Sequence, residues 1–213
     1  MDSLINKLPQ KEIFIQIGTN DGNDMFRKYV EYFNPKKVIL VEPNSELVKK
    51  IKENYFFYKG DLVILNCAIN TKNEDVTLYR SKLWGHETPH FSLVPMNNWG
   101  ESLHDLISLK SKSITFDYLC SLHNINHINL LQVDTEGFDA EIINSIDLNK
   151  IKIDLLRFEE WPFSKECFTK FSNNNEHMGT TGMENIINKL LSLNYNCFKI
   201  NDMDGNDIVA TKY

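Results

Sequence analysis

Short apolar runs alternate along the chain with segments whose apolar residues recur every three or four positions. The segment 24–33 is of the second kind, since Met25, Tyr29 and Phe33 share one helical face and Asn34-Pro35 ends the pattern. This alternation is typical of an α/β fold, in which helices cover both faces of a parallel sheet. The apolar runs that predict buried strands are 12–17, 36–42, 61–69, 128–134 and 152–159. The segments that predict helices between them are 24–33, 44–54 and 138–146.

The C-terminal part of the chain has a different pattern. Residues 183–193 carry apolar side chains at helical spacing, which predicts an amphipathic helix. The segments 195–200 and 207–212 predict a closing antiparallel hairpin, because Asp204-Gly205 between them is typical of a tight turn. Such a hairpin is less usual for a simple dinucleotide-binding fold.

The regular alternation is interrupted between about 70 and 127. Residues 75–80 predict a half-exposed strand, and 113–125 predict a short strand followed by a helix. Between them, 81–100 holds two prolines, two tryptophans and two histidines, and a long irregular segment of this kind is often a lid or a binding loop. We therefore expect one domain over 1–213, with an insertion or lid region at about 70–127.

Composition indicates the cellular location and the classes of binding partner to expect. With 213 residues and a formal net charge of -6, the chain suits one globular domain, and nucleic acid or an anionic membrane is not expected as its main partner. Its four cysteines are far apart, which disfavours a disulfide framework or a zinc site. No apolar stretch approaches the roughly 20 residues of a membrane span, and the first residues are too polar for a signal peptide. We expect a soluble, cytoplasmic protein.

The turn after the first predicted strand indicates a bound cofactor. Gly18 and Gly22 lie where a strand passes to a helix, a place where glycine lets the backbone approach a ligand. The turn has only two of the three glycines of the G-x-G-x-x-G fingerprint, and a plain tight turn is the alternative. Glu42, however, ends the second predicted strand 20 residues after Gly22, where a carboxylate can accept both hydroxyls of a ribose. The two features together predict a ribose-bearing cofactor.

The polar residues around this turn favour S-adenosylmethionine over a dinucleotide. A pyrophosphate would meet an aspartate in a turn with few glycines, whereas a ribose, an amino-acid tail and a positive sulfonium suit Asn20, Asp21 and Asp134. Methyl transfer needs in-line alignment of a nucleophile, so positioning supplies much of the catalysis.

Five stretches carry a resemblance to a known family. They are FIQIGTNDG, VEPN, LLQVDTEGFDAEII, LLRFEE and NYNCFKINDMDGNDIVATK. Together they resemble the FkbM-type family of S-adenosylmethionine-dependent methyltransferases, in the expected order from about 12 to 212. The most specific element is VDTEG at 133–137, which is similar to the family's D-V-E-G. The resemblance implies a Rossmann-like class I fold with a seven-stranded, mostly parallel sheet whose C-terminal strand is antiparallel, and it implies O-methylation of a hydroxyl, often on a sugar or a glycosylated product.

The resemblance also implies roles for residues. Positions 18–22 would cradle the methionine end of the cofactor, Glu42 would hold the ribose, residues 66–68 would border the adenine, and Asp134 would lie near the sulfonium and the acceptor. Gln16 departs from the acidic residue that is common on strand one, although its amide can still bond the cofactor's amino group. The predicted cofactor residues are Gln16, Gly18, Thr19, Asn20, Asp21, Gly22, Glu42, Pro43, Asn66, Cys67, Ala68 and Asp134.

A base that accepts the proton of the hydroxyl would assist the transfer. The candidates for catalysis are Asp134, Glu159 and the loop histidine His86, and His90 is an alternative to His86. Glu160 ends the same predicted strand as Glu159 and could also face the acceptor. Asp134 could instead cap the next helix, Glu159 and Glu160 could be a solvated strand end, and Glu136 could support a turn. A divalent metal on Asp134 and Glu159 is conceivable but has no clear third ligand, so no metal residue is assigned.

We expect S-adenosylmethionine as cofactor and a saccharide, a glycoconjugate or a related small molecule as hydroxyl acceptor. Two alternatives stay open at this point. A NAD-dependent oxidoreductase would share the strand, the turn and Glu42, but it should show a third glycine and a catalytic Tyr/Lys set. A catalytically inactive S-adenosylmethionine-binding protein would keep the pocket without turnover.

Overall fold

The structure is a computed structural model that describes residues 2–82, 90–94, 106–160, 179–202 and 205–213. The helices are α1 (Asp2–Asn6), α2 (Met25–Phe33), α3 (Val48–Asn54), α4 (Phe116–Leu122), α5 (Asp139–Ser145) and α6 (Gly179–Ser192). The strands are β1 (Ile13–Ile17), β2 (Lys37–Val41), β3 (Asp61–Leu65), β4 (Ala68–Ile69), β5 (Asp75–Arg80), β6 (Ile107–Ile114), β7 (His127–Val133), β8 (Lys152–Glu159), β9 (Asn196–Asp202) and β10 (Gly205–Thr211).

Seven strands form the main sheet, in the order β3-β2-β1-β7-β8-β10-β9. The first five are parallel, whereas β10 is antiparallel to both of its neighbours. Buried apolar residues form one core cluster on each face of this sheet, so β1, β7 and β8 are apolar along most of their length. The prediction of a mostly parallel sheet with an antiparallel C-terminal strand is confirmed, and the turn at 203–204 lies outside the described residues.

Local chemistry explains why helix α2 lies where the sequence predicted it. Asp24 caps its first turn, because the side chain accepts a hydrogen bond from the backbone N–H of Arg27. Asn34 ends it in the left-handed conformation (φ 45°), which asparagine tolerates better than most residues. The helix is thereby held with its first turn against the carboxyl end of β1.

Two predicted boundaries were wrong. The third strand ends at Leu65 and is a half-exposed edge strand, and Ala68–Ile69 pairs instead with β6 in a second sheet of order β4-β6-β5. The helix predicted from 44 begins at Val48, because the Asn44 side chain accepts from the N–H of Glu46 and forms a turn there. Both changes occur directly after strands that end at the same edge of the sheet.

The described residues of the region at 70–127 include the strands β5 and β6 and the helix α4. Strands β5 and β6 pair antiparallel, and α4 packs into the main core through Phe116, Leu119 and Cys120. Ser92 forms two backbone hydrogen bonds with Tyr79, of 2.8 and 2.9 Å, which attach the segment 90–94 to β5. Since 83–89 and 95–105 lie outside the described residues, a lid in this region stays a prediction. Among the described helices, none has the length and apolarity needed to span a membrane.

Candidate active site

A cavity of about 280 Å³ opens at the carboxyl ends of β1, β2 and β7. This edge of a parallel sheet is where ligands of such folds bind, because the strand order reverses there. Of the predicted cofactor residues, those that line the cavity are Gly18, Thr19, Asn20, Asp21, Glu42, Pro43, Cys67, Ala68 and Asp134. Nine of the twelve predicted cofactor residues therefore line this cavity.

Gly18 sits where only glycine fits. Its φ is +80°, and a Cβ built on it would lie 1.6 Å from the backbone oxygen of Asp134 on the neighbouring β7 segment. Its N–H donates to the carbonyl of Val41 over 3.0 Å, so the turn is tied to β2 as well. Thr19 beside it is 1% exposed, and its hydroxyl has no partner among the described residues. A ligand in the cavity could supply that partner.

Glu42 is the central acid of the cavity and is only 5% exposed. Its two carboxylate oxygens accept the backbone N–H groups of Asn20 and Asn44, each over 2.8 Å, which fixes the side chain at the end of β2. Burial raises the pKa of Glu42 from 4.5 to about 7, against these two bonds. A buried carboxylate of this kind gains from further donors such as the two hydroxyls of a ribose.

Three predicted cofactor residues lie outside the cavity wall. Gln16 is fully buried under the turn, where its amide donates to the carboxylate of Asp24. Asn66 is exposed, and its amide donates to the carbonyls of Glu42 and Pro43 over 2.9 and 3.1 Å. Gly22, with φ +75°, closes the turn by donating its N–H to Thr19. Their positions therefore suit support of the residues that line the cavity.

A second, smaller cavity of about 140 Å³ lies beside the first, toward β8 and β10. The two share His90, Gln132, Asp134 and Glu136 in their walls. The second is also lined by Glu159, so the structure brings the two predicted catalytic carboxylates, Asp134 and Glu159, to one compartment. The predicted His86 lies outside the described residues.

The carboxylates of this second compartment affect one another. Burial and then the neighbouring carboxylates, above all Glu136, raise the pKa of Asp134 well above its ordinary value. The pKa of Glu159 is also raised well above its ordinary value, mainly by burial and next by the charge of Asp134. Opposite them, Arg157 is 1% exposed, and its Nε donates to the carboxylate of Asp207 over 2.5 Å. Perturbed acids in a cleft are typical of functional sites.

His90 and Glu136 form the contact between the two compartments. The Nδ1 of His90 lies 2.7 Å from the Glu136 carboxylate and 3.4 Å from the amide nitrogen of Asn20. The hydrogen bond to Glu136 raises the pKa of His90 above its ordinary value. Glu136 itself has a left-handed backbone (φ 55°), a conformation that non-glycine residues adopt at a cost and that recurs at functional sites.

Sequence reasoning missed several residues of the wall. Leu93 lines the cavity from the segment attached to β5, and Ile69 and Leu78 add an apolar side. Gln132 lies two positions before Asp134 on the buried strand β7, and no periodic pattern of polar residues in the sequence distinguishes it. Glu136 was visible in VDTEG, yet its pairing with His90 joins positions 46 residues apart. No group of three or more His, Cys, Asp or Glu side chains suited to a metal ion occurs in the part of the chain that the structure describes.

Comparison with known proteins identifies the family. A family model for the methyltransferase FkbM domain matches residues 16–197. The chain belongs to this methyltransferase family. That membership supports the S-adenosylmethionine dependence expected from the resemblance, and it argues against the oxidoreductase alternative.

Solved structures show the same fold at low sequence identity. An FkbM methyltransferase from Methylobacillus flagellatus superposes with a TM-score of 0.52 at 9% identity, over 94% of this chain and 43% of that chain. A proposed caffeoyl-CoA O-methyltransferase from Staphylococcus aureus gives 0.53 at 13% identity, over 98% of this chain and 79% of that one. The present chain thus spans less than half the length of the Methylobacillus flagellatus protein. No curated protein sequence matched the present chain.

Proposed function

We propose that the protein transfers a methyl group from S-adenosylmethionine to a hydroxyl of a saccharide, a glycoconjugate or a related small molecule. The observation that carries the cofactor assignment is the buried Glu42 at the end of β2, next to a turn whose Gly18 admits no side chain. Family membership and the unpartnered hydroxyl of Thr19 support it. The acceptor class rests on the family resemblance and on the carboxyl groups that line the second compartment.

The cofactor residues divide into two groups in this proposal. The turn from Gly18 to Asp21 holds the methionine end, Glu42 accepts the ribose hydroxyls, and Cys67 with Ala68 borders the adenine. Gln16, Gly22 and Asn66 act through these residues: Gln16 holds Asp24, and Asn66 fixes the chain after Glu42. The cofactor supplies a methyl group on a positive sulfur, and Asp134 lies beside that position, where the positive charge would favour its ionised form.

In this proposal the residues of the second compartment bind the acceptor and accept the proton of its hydroxyl. His90 keeps its Nδ1 proton on Glu136, which leaves Nε2 as the basic nitrogen that takes the proton of the hydroxyl. Asp134 and Glu159 face the acceptor from the ends of β7 and β8. His86 stays a candidate for the same role as His90.

The proposal that nucleic acid is not the substrate rests on the net charge alone. A cytoplasmic location stays a prediction, consistent with the free thiols of Cys67, Cys120 and Cys197.

The test is calorimetric titration with S-adenosylmethionine, S-adenosylhomocysteine and NAD, on the wild type and on Glu42→Ala. We expect micromolar binding of the first two and a loss of roughly tenfold or more in the variant, because one charge-assisted hydrogen bond or more is removed. Methyl transfer from a labelled donor to a glycan panel would follow. Preference for NAD, or binding that Glu42→Ala leaves unchanged, would contradict the cofactor assignment. Tight cofactor binding without transfer to any acceptor would favour the inactive binding protein.

A further inference from the structure

The second compartment is lined by more carboxyl groups than basic side chains. Its wall also includes the buried amide of Gln132. The charged side chains that line it are His90, Asp134, Glu136, Arg157, Glu159 and Asp207.

The two basic side chains of the compartment each already have a carboxylate partner. Arg157 pairs with Asp207, and His90 pairs with Glu136. Asp134 lies in both cavities, where the sulfonium of the cofactor can balance its charge. Glu159 lines only the second cavity, and the charges that act most on it are those of other carboxylates. Glu159 is therefore the acid for which neither the described residues nor the cofactor supplies a cation.

Two hydrogen-bond acceptors in this compartment also have no donor. Oε2 of Glu159 and Oε1 of Gln132 are buried, and neither has a partner among the described residues. Gln132 is only 4% exposed and lines both cavities, so its oxygen lies at the junction. Leaving a buried acceptor unpaired is costly, and a ligand rich in donors would remove that cost.

We propose that the second compartment binds a protonated amino group of the acceptor next to the hydroxyl that is methylated, so that the acceptor is an amino sugar or another amino alcohol. Glu159 pairs with the ammonium, and Gln132 accepts a further N–H or O–H. A neutral polyol could fill the hydrogen bonds but would not favour the ionised form of Glu159, whereas an ammonium group would, and an anionic acceptor would be repelled by the neighbouring carboxylates. This inference rests on the proposed function and names its substrate class.

The experiment compares four methyl glycosides that differ at one group: those of glucosamine, N-acetylglucosamine, glucose and glucuronic acid. Their binding to the protein with sinefungin, an unreactive cofactor analogue that carries a positive amine at the place of the sulfonium methyl, is measured by ligand-observed NMR, for the wild type, Glu159→Gln and Glu160→Gln. Glu160 is the matched control, because it follows Glu159 directly, pairs with Lys199 and lines neither cavity. We expect the amino glycoside to bind roughly tenfold tighter than the neutral ones, as one charge-assisted pair would give. Glu159→Gln should abolish that preference and Glu160→Gln should keep it.

Several results would overturn the inference. They are equal binding of all four glycosides, no binding of the amino glycoside, a preference that survives in Glu159→Gln, and a divalent cation that binds at Glu159 and competes with the amine. Methyl transfer to the neutral glycoside without an amine preference would refute this inference and leave the proposed function standing. Absence of S-adenosylhomocysteine binding would instead refute the proposed function.

Discussion

At the scale of single residues, Gly18 should tolerate no side chain. In Gly18→Ala the new Cβ would lie 1.6 Å from the Asp134 carbonyl oxygen at a φ of +80°, so the turn or the end of β7 must move. We expect the free energy of unfolding, measured in urea, to fall by about 2 kcal/mol or more, and S-adenosylhomocysteine binding to be lost. Gly22→Ala is the graded control: its φ is also positive, but its nearest contact is the Tyr55 ring at 3.1 Å, and it should cost less. Equal losses in both variants would contradict this account.

His90 is the residue whose proposed role can be read from a pH profile. A base works only when it is deprotonated, so kcat/KM of the wild type should rise with pH through the pKa of His90, which Glu136 holds above its ordinary value. His90→Gln should lower kcat about 100-fold and remove this limb. Glu136→Gln should shift the limb to lower pH, because the carboxylate that raises the pKa is gone. A limb that persists in His90→Gln and vanishes in His86→Gln would give the role to His86.

At the scale of elements, the ion pair between β8 and β10 is the feature to test. Arg157 is 1% exposed and its carboxylate partner, Asp207, lies on the antiparallel strand. Asp207→Asn would remove the negative charge that faces the buried guanidinium in this pair, and we expect the free energy of unfolding in urea to fall by about 3 kcal/mol. Asp75→Asn is the control, since Asp75 pairs with Lys112 at an exposed site of the antiparallel β5–β6 pair. It should change stability by less than about 1 kcal/mol. A loss of similar size in the control would contradict a special role for the buried pair.

Elements also show what the sequence could and could not predict. The positions of Gly18 and Glu42 followed from the sequence, because the period of the apolar residues locates strand ends and parallel strands end at one edge of a sheet. The break of the third strand at Leu65 did not, because the apolar run continues to Ile69 while Ala68 pairs with the distant Ser113. The contact between His90 and Glu136 was equally hidden, since it depends on how an irregular segment attaches to β5. Local periodicity does not encode such pairing across the fold.

At the scale of the whole molecule, buried carboxylates should make the free protein less stable as the pH rises. Burial raises the pKa of Glu42 and of Asp139 to about 7, and it raises the pKa values of Asp134 and Glu159 as well. Between about pH 4.5 and 7 the folded state therefore keeps protons that the unfolded chain has released, so the free energy of unfolding falls across this window. His90 adds a loss in the same direction above its ordinary pKa of 6.5. We expect a total loss of roughly 2 kcal/mol or more between pH 5 and 8.

The cofactor should oppose this loss, because its ribose hydroxyls bind the ionised form of Glu42 best. Urea unfolding at pH 5, 6, 7 and 8, with and without S-adenosylhomocysteine, measures both effects. The stabilisation by the ligand should grow as the pH rises through about 7, where Glu42 ionises. Glu42→Gln is the control, since its free form should lose less stability with pH and its ligand effect should be small and flat. A free protein that gains stability from pH 5 to 8, or a ligand effect that is the same at every pH, would mean that Glu42 is already ionised and solvated in the folded state, and the cavity would then lack the desolvated acid on which the cofactor assignment depends.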